Sequence, residues 1–148
     1  MKTATRIPWL LAISLLAPLA AAAKDSTVAD GYVIHHNAFT ADVLDPAVAQ
    51  RYGIQRSKQR GVINVTVIKE KPGTTGMPTA ARVEVSAASL TGQNLRVPMR
   101  ELKEQEAVYY IGEFPVQDQE TLDFAIEVTP EGTSKGIKAR ARQQFFTR

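Results

Sequence analysis

The chain has 148 residues, 44% of them hydrophobic, a formal net charge of +3 and no cysteine. The missing cysteine excludes disulfides, thiolate nucleophiles and lipid attachment at a cysteine, and the length suits one ordinary core. Setting aside Lys2 and Arg6 of the leader leaves 16 of the 18 basic residues against 15 acidic ones, a nearly neutral and dispersed balance that argues against a nucleic-acid binder.

The leader is legible first. Lys2 and Arg6 make a positive n-region, Pro8 to Leu19 an apolar stretch, and Ala20 to Ala23 an A-x-A cleavage site. This pattern predicts a signal peptide over 1–23, cleavage near Ala23 and a periplasmic destination. One domain is expected over 24–148. The leader's apolar run is short for a bilayer span and no later run is long enough, so the mature chain is not expected to span a membrane.

After a polar lead-in to Asp30, Tyr32 to His36 reads as a strand with Tyr32, Ile34 and His36 on one face. Asn37 to Thr40 is expected to break it, and Thr40 to Leu44 to be extended or irregular. Asp45-Pro46 opens a short helix of about two turns, Asp45 capping it and Pro46 taking the first helical position, and Gly53 closes it. Gly61 to Lys69 is a β-branched strand. A Pro/Gly loop follows, and then Ala81 to Ala87 alternates. Leu95 to Leu102 is expected as one strand, an edge or a bulge because Pro98 has no N–H to give. Ala107 to Phe114 is apolar on both faces, as a central strand would be. Thr121 to Val128 and Ile137 to Phe146 alternate across a final turn. Roughly seven short strands and one helix predict an all-β fold, an antiparallel two-sheet sandwich, immunoglobulin-like in the broad sense, with a small barrel as the alternative.

No catalytic or cofactor signature is present. His35 and His36 are strand neighbours and point to opposite faces, so they cannot share one metal, and neither a metal nor a cofactor is expected. Lys138, Arg140 and Arg142 form a basic stripe. If the last turn centres between Gly132 and Thr133, Glu127 faces Lys138 and Asp123 faces Arg142, which makes the stripe a solvated ladder of cross-strand pairs. The segment from Arg51 to Arg60 is different. Arg56 and Lys58 have no acidic residue within several positions, and glycines bound the segment. Arginine there suits carboxylate or phosphate recognition. The competing reading pairs Arg56 and Lys58 with Asp42, Asp45 or the Glu101–Glu106 cluster as a brace.

His35-His36-Asn37-Ala38-Phe39, then Leu44, Pro46, Val48, Ala49, Tyr52-Gly53-Ile54, Arg56-Ser57-Lys58, Gly61 and Asn64, resemble a proteobacterial envelope family catalogued as domain of unknown function 4426. Tyr109-Tyr110-Ile111 and Gln144-Phe145-Phe146 resemble its later marks. The resemblance covers nearly the whole mature chain and implies export and one β-rich domain. The family often carries Tyr where His36 stands, which implies no metal role for His36. The resemblance lends no activity.

The resulting expectation is a periplasmic binding or accessory module without catalytic activity. It would recognise a protein partner or an anionic envelope component through Asn37, Phe39, Tyr52, Arg56, Ser57, Lys58 and Arg60. Two alternatives remain. One is a chaperone-like or assembly factor adding a strand at Leu95 to Leu102. The other is a small enzyme uniting His35 or His36 with Asp42, Arg56 or Ser57.

Overall fold

The computed structural model describes residues 25–148; the leader expected over 1–23 lies outside them. In chain order the strands are β1 (Ser26–Ala29), β2 (Tyr32–Thr40), β3 (Arg60–Lys69), β4 (Met77–Pro78), β5 (Ala81–Ser89), β6 (Asn94–Val97), β7 (Met99–Glu104), β8 (Ala107–Pro115), β9 (Thr121–Pro130) and β10 (Ile137–Gln144). A 3-10 turn (Ala41–Val43) and helix α1 (Pro46–Arg51) stand between β2 and β3. One sheet runs β1-β2-β3-β8-β7, with β4 beside the far end of β3; the other runs β10-β9-β5-β6. Every pairing is antiparallel, so the architecture is the expected sandwich.

Alternation explains which face each strand buries. Along β9, Leu122, Phe124, Ile126 and Val128 are buried between the sheets, and along β5 so are Val83, Val85 and Ala87. Tyr32, Ile34 and Ala38 of β2 and Ile63, Val65 and Val67 of β3 close the core from the other side. At one end Phe114, Phe124 and Phe145 meet edge to face, with centroids 5.2 to 6.4 Å apart. β8 lies between β3 and β7, which is why its outer face is apolar too: Ile111 packs with Val62 in a second cluster under the helix.

The structure corrects four local expectations. The lead-in to Asp30 contains β1, because Ser26 to Ala29 pair with Tyr32 to His35 across a tight turn. Asn37 to Thr40 do not break β2: they stay paired with Gly61 to Asn64, so pairing with β3 overrides their weak propensity. The stretch after Thr40 holds a 3-10 turn, Ala41–Val43, rather than extended or irregular chain. Leu95 to Leu102 is two strands. The chain leaves one sheet after Val97, passes through Pro98 and enters the other at Met99, so Pro98 marks a change of sheet. Leu95 is 36% exposed at that edge. The last hairpin has the expected register, with Glu127 opposite Lys138 and Asp123 opposite Arg142.

Candidate functional site

The candidate surface begins with the end of α1. Asp45 accepts hydrogen bonds from the Ala47 and Val48 N–H groups and so caps the first turn. At the other end Gly53 adopts φ +63°. The Gly53 N–H then donates to the Gln50 carbonyl and the Ile54 N–H to the Ala49 carbonyl, the pair of bonds that defines a Schellman close. Ala49 and Ile54 are both buried, in one cluster with Ala41 and Val62, and Phe39, Leu44, Tyr52 and Ile111 pack against it. A two-turn helix that could not persist alone is therefore held on the outer face of the larger sheet.

From Ile54 the chain turns outward. Ser57 Oγ accepts the Gln59 N–H at 3.1 Å, and the Gln59 carbonyl accepts the Val116 N–H at 2.9 Å. The loop is tied at both ends and at its tip, so its side chains project from fixed backbone. Arg56 Nη2 donates to the Asp42 backbone carbonyl at 2.7 Å. That bond fixes the guanidinium without neutralising it, because a guanidinium has five N–H donors and a carbonyl carries no net charge. Lys58 is exposed. Among the described residues neither Arg56 nor Lys58 has a carboxylate within ion-pair distance.

The flanking cations differ. Arg51 pairs with Glu104 at 3.4 Å and Arg60 with Glu113 at 3.2 Å. Arg100 lies 3.9 Å from Glu113 and also donates to the Tyr52 carbonyl. The Tyr52 phenol lies against Glu104, which raises the phenol's pKa and lowers that of the carboxyl. These contacts brace the helix and loop to β7 and β8. The expected site residues thus divide. Phe39 and Tyr52 pack the helix, Arg60 is an ion-paired brace, Ser57 shapes the loop, and Arg56 and Lys58 carry uncompensated charge. Asn37 stands apart, exposed on β2 opposite Asn64 and on the rim of a separate hollow.

His35 is exposed and His36 is buried, on opposite faces of β2 as alternation requires. His36 lines that separate hollow together with Asp25 and Arg140; Asp42, Arg56 and Ser57 do not line it. Among the described residues no three His, Cys, Asp or Glu side chains are grouped to hold a metal, and no helix is long and apolar enough to cross a membrane.

Residues 26–148 match the family described as Domain of unknown function (DUF4426). The chain belongs to this family. The crystal structure of a DUF4426 family protein from Pseudomonas aeruginosa PAO1 is similar to it, at 32% sequence identity and a TM-score of 0.69, covering 83% of this chain and 94% of that one. FetP from uropathogenic E. coli strain F11 is similar in fold, with a TM-score of 0.59 at 7% identity over 85% of this chain and 95% of that one. A copper-bound variant of FetP matches equally, covering 97% of that chain. At such identity the likeness is one of fold. No curated protein matches the chain.

In this DUF4426 chain the residues that sequence reasoning missed are the brace and the hollow. Arg51 meets Glu104 and Arg60 meets Glu113 across 53 positions each, a separation with no local signal. The lack of acidic neighbours around Arg56 and Lys58 is a local signal; of the competing pairings with Asp42, Asp45 or Glu101 to Glu106, the described residues show only the bond from Arg56 to the Asp42 backbone carbonyl.

Proposed function

We propose that this chain is an exported, periplasmic binding or accessory module that docks an acidic partner, a protein or an anionic envelope component, on the loop from Gln55 to Gln59. The observation that carries this reading is the contrast within the loop and its flanks. Arg51 and Arg60 have carboxylate partners, whereas Arg56 and Lys58 are held outward by a tied backbone with none among the described residues. Exposed, preorganised cations of this kind steer and position a negatively charged partner more than they stabilise the fold. Arg56 retains donors for a bidentate carboxylate or phosphate contact. Phe39 and Tyr52 act indirectly, by seating the helix from which the loop departs.

Export is supported by the leader pattern over 1–23. Intact mass of the protein from a periplasmic extract should place the mature start near Lys24. A full-length chain in the cytoplasm would refute export.

The binding reading is tested with a photo-crosslinking residue at Gln55 in cells, comparing the otherwise wild-type protein with an Arg56→Ala, Lys58→Ala variant. A discrete crosslinked species that disappears in the variant supports it; protease and lipopolysaccharide digestion of the adduct tell a protein from an envelope glycolipid. An identical adduct in both proteins refutes the role of these charges.

A further inference from the structure

β10 is the last strand of its sheet and runs for eight residues, and among the described residues no strand pairs its outer edge. Which backbone groups stand on that edge follows from the register. Phe145 continues the ladder opposite Glu120 and donates its N–H to the Glu120 carbonyl at 2.8 Å. Along an antiparallel ladder, pairs that exchange hydrogen bonds alternate with pairs that do not. Counted back from Phe145, the bonded positions are Gln143, Ala141, Ala139 and Ile137. Lys138, Arg140, Arg142 and Gln144 therefore turn their N–H and C=O groups away from β9, and all four residues are exposed.

The side chains of these residues lie on the outer face of the sheet, because Ala139 at the alternate position is buried in the core. Their charge is only partly answered. Arg142 is held by Asp123 at 2.6 and 2.8 Å. Arg140 stands opposite Ala125; its charge acts on Asp123, but that carboxylate is already engaged. Lys138 stands opposite Glu127, yet the Glu127 carboxylate lies over Gly136. Among the described residues neither Lys138 nor Arg140 has an ion pair.

These charges decide which strand can be added. Antiparallel pairing of two copies of β10 would set Arg140 against Arg140, Lys138 or Arg142 of the other copy, like charges side by side. The stripe thus guards the edge against a second copy and leaves it open to a strand of opposite charge. Alternate side chains of an added strand would turn inward, toward a hollow of about 190 Å³ between β10 and β2. Asp25 lines that hollow and disfavours a further carboxylate there.

We propose that β10 accepts an extended acidic segment of another protein as an added antiparallel strand, with Asp or Glu at alternate positions facing Lys138, Arg140 and Arg142 and uncharged residues between them. Main-chain hydrogen bonds hold such a strand, and the cross-strand charges select it. No residue of the basic loop takes part, so the proposal stands or falls separately from that surface.

The test uses the mature protein and an end-blocked synthetic peptide that alternates glutamate with threonine. In the free protein the amides of Lys138, Arg140 and Arg142 should exchange with deuterium much faster than those of Ala139 and Ala141. At millimolar peptide they should become protected. Arg140→Ala should weaken binding at least about fivefold, while Arg56→Ala, Lys58→Ala binds normally. Arg140→Glu should lose the glutamate peptide and gain a lysine–threonine one. Arg140 is exposed, so these variants should melt like the wild type. Any of four results would overturn the proposal. The peptide does not bind; a peptide of the same composition in two blocks, or one N-methylated at its glutamates, binds as tightly; the three amides stay unprotected in the complex; or Arg140→Ala leaves the affinity unchanged.

Discussion

Gly61 is the second residue of β3, just past the basic loop, and lies directly opposite Phe114 on β8. A Cβ at Gly61 would overlap the Phe114 ring. The ring cannot simply move aside, because it is 3% exposed and packs edge to face on Phe124 at 5.2 Å and Phe145 at 5.6 Å. Gly61 is not among the glycines with positive φ, so its backbone suits any residue and the penalty of Gly61→Ala is steric. Forcing one methyl into such a core costs about 1–3 kcal/mol. Against an ordinary domain stability of about 5–15 kcal/mol, that is a clear shift of the urea midpoint at unchanged slope. The decisive assay is a double-mutant cycle. In a Phe114→Leu background, where the ring is gone, Gly61→Ala should cost less than in the wild type by about 1 kcal/mol or more. Equal costs in the two backgrounds would refute the steric account and place the effect in the loop or the unfolded chain.

Other expectations follow from the same geometry. Gly53→Ala forces an ordinary residue to φ +63° and should cost about 1 kcal/mol in denaturant unfolding; no loss would mean that α1 does not end in the Schellman close. Asp45→Ala removes the cap that accepts two N–H groups and should cost about 1 kcal/mol, whereas Asp45→Asn should be nearly neutral. Hydrogen bonding holds the Asp123 carboxyl below the usual range through Arg142, Glu101 through Tyr110 and Glu104 through Tyr52. A carboxyl whose pKa is lower in the folded state stabilises fully above its unfolded value and loses that contribution as pH falls through the folded one. Stability should therefore decline below about pH 4, and Arg142→Gln should flatten the Asp123 part of that decline; an unchanged profile would contradict the pairing.

Much of the fold was legible because alternation is a local signal. Leu122 to Val128 and Val83 to Ala87 announce their inward faces, and turn chemistry around Gly132 set a hairpin register that the structure has. Asp45-Pro46 and Gly53 marked both ends of the helix. What escaped was decided at long range. Asn37 to Thr40 carry weak strand propensity and are strand because β3 lies beside them. Pro98 read as an edge residue because no local pattern distinguishes a bulge from a change of sheet. The site divides the same way. The lack of acids near Arg56 and Lys58 is a sequence property, while the pairing of Arg51 and Arg60 with distant glutamates exists only once the sheets have packed.

The measurement that tests the central claim most directly compares two double variants for melting temperature and for crosslinking from Gln55. One removes Arg56 and Lys58, the other the braced Arg51 and Arg60, each to alanine. The account predicts that Arg56→Ala, Lys58→Ala melts close to the wild type and loses its adduct, because among the described residues it gives up one bond, that of an exposed guanidinium to the Asp42 carbonyl. It predicts a larger drop in melting temperature for Arg51→Ala, Arg60→Ala, which breaks the contacts to Glu104 and Glu113. The account is contradicted if the first variant melts lower than the second and keeps its adduct, for then Arg56 and Lys58 are the brace and the partner binds elsewhere.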